Sequence, residues 1–158
     1  MKKYFLPTLR RFALFVALAP LFIATACVSR QVSIPFEVAN SYFFKRGQTI
    51  PASPKITTAE EFGQLFGMAT VMGPNGRPTD IDFDKQFVVA IVLPQTDIDT
   101  EILPVSVEAK GDALICAYNV TTGDKQSFTI QPLSLIILDK KYENCEIILS
   151  ETRSEKSE

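Results

Sequence analysis

The chain contains no histidine, so the side chains it can offer to chemistry are three cysteines and scattered carboxylates, lysines and serines. The most sharply placed is Cys27. It follows Ala24-Thr25-Ala26 at the end of an apolar run from Phe12 to Ile23 that only Pro20 interrupts. Lys2, Lys3, Arg10 and Arg11 stand ahead of or at the start of that run, and no acidic residue precedes Glu37. A basic start, a short apolar core and a small-residue site make an export signal, and the core is shorter than the ~20 residues that span a bilayer. A thiol at the cleavage point can take a thioether-linked diacylglyceryl group, and cleavage then leaves Cys27 as the new N-terminus. Residues 1–26 are expected to be a lipoprotein signal peptide, and 27–33 a lipidated N-terminus and tether. Each buried CH₂ contributes ~0.8 kcal/mol, and two or more chains anchor stably where one does not. An ordinary secretory site at Ala24-x-Ala26 and an uncleaved anchor are the alternatives. The expected location is the bacterial cell envelope, on the outer membrane or the periplasmic face of the inner one. Val28 is not an acidic retention residue, which leans towards the outer membrane.

If Cys27 is lipidated, Cys116 and Cys145 remain as a pair. A disulfide between them suits an oxidising envelope. Both also lie in apolar stretches, Leu114 to Tyr118 and Cys145 to Leu149, where a free thiol behaves as a small apolar side chain. Both readings stay open on spacing alone.

The carboxylates gather in two places. Asp80-x-Asp82-x-Asp84 resembles the start of a calcium loop, but Lys85 and Ile91 occupy the positions where such a loop needs Gly and Glu. Asp97, Asp99 and Glu101 follow Pro94. These groups read as solvated carboxylates on either side of a buried strand, and no metal site or cofactor is expected. Without histidine there is no Ser-His-Asp or Cys-His pair, and no phosphate-cradling glycine motif is present. A serine–lysine dyad or a carboxylate pair remains conceivable by composition, but no spacing places one.

Charge narrows the partners. The first 27 residues hold four of the 16 basic residues and none of the 18 acidic ones, leaving 12 against 18 and a net charge of −6. Nucleic acid, which needs a basic footprint, is not an expected partner.

The elements that would position these groups form one domain, expected over 34–150. Phe36, Val38 and Tyr42 to Phe44 are strand-prone, and Gly47 ends the stretch. Thr58 with Glu61 makes a capping box, with Phe62, Leu65 and Phe66 on one helical face. Gly73 to Pro78 is a turn cluster. Phe87 to Leu93 is an unbroken apolar run that suits a strand covered on both faces. Residues 94–104 follow as a loop. Gly111-Asp112 makes a two-residue hairpin turn, whose register sets Ala109 against Leu114, Val107 against Cys116 and Val105 against Tyr118. Thr121 to Lys125 is expected to turn the chain again. Leu133 to Leu138 and Cys145 to Leu149 are two more strands, and 151–158 is a disordered polar tail. The expected class is α+β: a mainly antiparallel sheet of hairpins with one short helix packed on it.

Thr58-Ala59-Glu60-Glu61-Phe62-Gly63-Gln64-Leu65-Phe66, then Ile81-Asp82-Phe83-Asp84-Lys85-Gln86-Phe87-Val88-Val89-Ala90, then Val105-Ser106-Val107-Glu108 resemble the C-terminal domain of the protease-complex lipoprotein PrcB. The resemblance covers roughly residues 57–138. It departs after the buried strand, where Gln95-Thr96-Asp97-Ile98-Asp99 replaces a Thr-Gly-Gly-Tyr type loop and keeps only Thr96. The resemblance implies a lipid-anchored accessory subunit that binds and stabilises an envelope protease. The 94–104 loop, where the chain departs from that family, is the candidate partner contact, with Thr96, Asp97 and Asp99 as its residues.

The expected function is that of a non-catalytic, membrane-anchored protein-binding module. A small ligand- or ion-binding lipoprotein and a histidine-free hydrolase are the alternatives.

Overall fold

A computed structural model describes residues 32–69 and 76–155. The strands are β1 (Val32–Ser33), β2 (Glu37–Ala39), β3 (Tyr42–Phe44) and β4 (Lys55–Ile56), then helix α1 (Ala59–Leu65) and β5 (Phe66–Met68). They are followed by β6 (Gln86–Val92), β7 (Thr96–Lys110), β8 (Ala113–Ile130), β9 (Leu133–Asp139) and β10 (Glu146–Glu155). The expected signal segment, Cys27 and the first half of the turn cluster at 73–78 lie outside the described residues.

One long β-ribbon organises the fold. It starts at Gln86 opposite Asp139, runs to Val92 opposite Leu133, continues from Thr96 opposite Ile130, and closes at Lys110 opposite Ala113. Gly111 and Asp112 turn it, with Gly111 at φ 61°, a conformation glycine adopts without a Cβ penalty. The ribbon folds over at 93–95 and 131–132, where Pro94 and Pro132 remove ladder donors. Its two arms therefore fall in different sheets. One sheet has the order β1-β7-β8-β10, the other β2-β9-β6-β4.

Alternation along β6 and β9 builds two cores. Phe87, Val89, Ile91, Ile136 and Leu138 meet Val107, Leu114, Cys116, Tyr118 and Val120 of the first sheet. The intervening Val88, Ala90, Leu135 and Ile137 face Phe44, Ile56, Phe62 and Phe66. The second sheet is thus the middle of three layers, and the unbroken apolar run of β6 is buried on both faces as its composition requires. On its outer face Thr58 caps α1 by accepting from the Glu61 amide at 3.2 Å. Phe62 then packs against Tyr42 and Phe66, with ring centroids 5.1 and 5.0 Å away. Phe66 leaves the helix and starts β5, which pairs with β3.

Among the described residues the structure has the α+β class, with mostly antiparallel sheet and one short α-helix. Several local expectations change. Ala109 faces Leu114 and Val107 faces Cys116, but Tyr118 faces Pro104 and Val105 is left out of register. Pro104 has no amide to give, so the strand bulges there and Val105 turns to solvent. Thr121 to Lys125 does not reverse the chain. It lies within β8, where Gly123-Asp124 accommodate one extra residue between the Thr100–Thr122 and Ile98–Lys125 pairs. The expected loop at 94–104 is strand from Thr96 onward. Val32 and Ser33, expected in the tether, pair with Ala109 and Glu108. The charged segment from Glu151 is not a loose tail up to Glu155. It extends β10, parallel to Tyr118–Thr122 of β8, because an edge strand needs main-chain partners rather than buried side chains.

Candidate partner-binding surface

The candidate contacts Thr96, Asp97 and Asp99 all lie at the start of β7, just beyond the ribbon fold. The Thr96 hydroxyl accepts from the Ile98 amide at 3.1 Å. Asp97 pairs with Lys125 across the ribbon at 2.9 Å, so its carboxylate ties the two strands beside the bulge. Asp99 is half-buried. These side chains are built into the ribbon rather than displayed on a loop tip.

The fold itself creates the relief around them. A cleft of about 1130 Å³ lies between the ribbon fold and the segment that follows β3. Pro94, Gln95 and Thr129 to Gln131 form one wall, and residues of the segment from Phe43 to Ile50 form the other. The first wall is pinned by the Leu93 amide donating to the Pro132 carbonyl at 2.9 Å and by Gln131 Nε2 donating to the Leu93 carbonyl. The second wall is a turn with Gly47 at φ 82°. The Lys45 amide anchors it by donating to the Leu65 carbonyl at 2.9 Å, and Lys45 Nζ donates to the Gly63 carbonyl. A second cleft of about 410 Å³ lies on the other side of the fold, lined by Pro94, Thr96, Ile98, Thr100 and Arg153. Pro94 and Gln95 line both clefts, and Thr96 lines the smaller one. Sequence reasoning reached the β7 side of this surface. It weighed the aromatic run Tyr42 to Phe44 as a recognition surface or a strand with one edge in the core, and it missed the Lys45–Ile50 turn, for which the signal was an isoleucine close to Lys45-Arg46-Gly47.

The remaining chemical groups are placed elsewhere. Asp82 accepts from Lys85 Nζ at 2.6 Å and from the Asp84 amide at 3.1 Å. The Lys85 hydrogen bond, followed by the Asp84 amide, holds its carboxyl below the usual range. Asp82 thus caps the turn into β6, and no group of metal-ligating side chains gathers among the described residues. Cys116 and Cys145 are both free. β10 runs parallel to β8 with Leu149 opposite Cys116, so Cys145 lies four residues along, ~13 Å at strand spacing. That exceeds the ~7 Å Cα limit for a disulfide, and the candidate bridge is not formed. Burial pushes the Cys116 thiol up to about 11. Tyr118 donates to Glu151 at 3.0 Å. Burial first, and then the neighbouring carboxylate, raise that phenol to about 12.

The anchor end is separate from this surface. β1 runs antiparallel to β7, and its first residue, Val32, lies opposite Ala109, next to the hairpin turn. Thr96 lies at the opposite end of β7, up to ~43 Å away for a straight strand and less in this bent one. No helix among the described residues is long and apolar enough to cross a membrane. Neither protein-family models, curated proteins nor solved structures yield a match to this chain.

Proposed function

We propose that this protein is a lipid-anchored accessory module of the bacterial envelope, attached through Cys27, that holds a protein partner against the surface formed by the ribbon fold. The likeness to the PrcB C-terminal domain suggests a protease as that partner. The observation that carries the reading is the separation of two ends. β1 begins at the hairpin-turn end, and the two clefts open at the other. A lipid at Cys27 therefore places the hairpin turn near the bilayer and turns the clefts away from it. Tethering then raises the effective concentration of the partner's neighbours on the same membrane without any added contact.

The test is a cross-linked capture of the full lipidated chain from its own envelope, with a Cys27→Ala strain as control. One co-purifying protein, reduced in the control and reduced by a Gln95→Glu substitution at the cleft junction, is the expected result. Capture of nothing above background, or capture indifferent to both changes, would contradict the proposal.

A further inference from the structure

Resting on that partner-binding reading, we propose that the larger cleft receives an extended, acidic peptide segment carrying apolar side chains. The chain from Val28 onward has 12 basic and 18 acidic residues, yet the cleft reverses this balance. Lys45 and Arg46 lie on one wall, and no carboxylate lines either wall. A local positive patch on an otherwise acidic protein selects anionic partners and speeds their approach. Lys45 is held in place by its bond to the Gly63 carbonyl. Arg46 is exposed, and its planar fork suits a carboxylate.

The other lining groups point to a peptide. Gln48 and Gln95 lie around the cleft, and side-chain amides offer both the donors and the acceptors that a peptide backbone needs. Phe43 and Ile50 are 47% and 38% exposed, which leaves apolar surface uncovered next to the cations. The volume of about 1130 Å³ lies above the roughly 300–1,000 Å³ of small-molecule pockets. The combination of cations, amides and uncovered apolar rim matches glutamate or aspartate interspersed with leucine or phenylalanine.

Gly67 supplies a variant that alters the cleft from behind. A Cβ built there would meet the ring of Phe43 end-on, so Gly67→Ala displaces a half-exposed ring that lines the cleft while leaving Lys45 and Arg46 in place. Three labelled peptides are titrated by fluorescence anisotropy against the full lipidated chain in detergent. One alternates glutamate with leucine and phenylalanine, one has lysine for glutamate, and one has serine for the apolar residues. The acidic-apolar peptide is expected to bind best and to weaken with added salt. Arg46→Glu is expected to weaken it about tenfold, through loss of one attraction and gain of one repulsion. Gly67→Ala is expected to weaken it several-fold, and Lys85→Glu, remote from the cleft, to leave it unchanged.

Equal binding of the lysine peptide, no binding of the acidic-apolar one, or indifference to Arg46→Glu would overturn the inference. Envelope capture separates it from the reading beneath. A wild-type chain that captures its partner undiminished by Arg46→Glu overturns the cleft chemistry and leaves the accessory role standing. A wild-type chain that captures nothing but binds the acidic peptide through Arg46 does the reverse.

Discussion

The Leu93 amide donates to the Pro132 carbonyl at 2.9 Å at the one place where both strands of the long ribbon pass from one sheet to the other. Pro132 is buried there, while its neighbour across the fold, Pro94, is exposed and lines both clefts. The same two prolines that end the sheet ladders thus set the angle at which the clefts open. Pro132→Gly keeps the Leu93 acceptor but loosens the unfolded chain and removes a buried ring. It is expected to lower stability by about 1–2 kcal/mol in urea unfolding. An unchanged midpoint would mean that the fold does not depend on this residue.

The interior between the two main sheets should dominate stability. Phe87 is fully buried there, whereas Phe128 is 59% exposed beside the fold. Phe87→Ala is expected to cost about 3–5 kcal/mol and Phe128→Ala less than about 0.5 kcal/mol. Comparable losses in chemical denaturation would contradict the three-layer arrangement.

The thiols should report the absence of a bridge. In the native protein a thiol reagent at pH 8 is expected to modify Cys145 and to spare Cys116, whose burial raises its pKa to about 11. Unfolding should expose Cys116 to the reagent. A melting temperature that drops on adding reductant would show a disulfide instead.

Tyr118 and Glu151 should give stability a pH plateau with two shoulders. The Tyr118 pKa is raised above its unfolded value of 10.0 to about 12, by burial first. Its contribution is present below pH 10 and is lost as pH rises towards 12. The Glu151 carboxyl is lowered from 4.5, first by its bond with Arg153. Its contribution is present above that value and is lost as pH falls through the lowered one. Tyr118→Phe is expected to flatten the alkaline shoulder and to cost about 1–2 kcal/mol at neutral pH. Chain removal from Glu151 onward should cost at least as much, because it strips β8 of a parallel partner as well. A truncated chain as stable as the whole would restore the reading of that segment as a loose tail.

The legible parts of this fold were those governed by side-chain burial. Seven residues from Gln86 to Val92 with scarcely a polar one among them had to be covered twice. The alternation around Gly111-Asp112 set the pairs Val107–Cys116 and Ala109–Leu114. The Thr58 cap followed from local hydrogen bonding. What did not show was governed by the main chain. Pro104 forces a bulge that puts Val105 outside, although its alternation with Val107 points inward. Gly123-Asp124 carries the composition of a turn, and β8 absorbs it as an extra residue because Thr122 and Lys125 still find partners on β7. Residues 151–155 have no apolar side chain, yet they extend a strand because β8 offers unpaired main-chain groups. The candidate contacts Thr96, Asp97 and Asp99 fall at the start of β7, and the larger cleft beside them is completed by residues some fifty positions earlier. Only the folding of the ribbon brings those two segments together.

The central claim is that the ribbon fold faces a partner while the hairpin turn faces the membrane. A photo-cross-linking residue placed at Gln95 or at Lys110 of the lipidated chain, activated in intact envelopes, tests it directly. The expected result is a discrete protein adduct from position 95 and lipid adducts without that protein from position 110. The same protein adduct from position 110, with none from position 95, would contradict it.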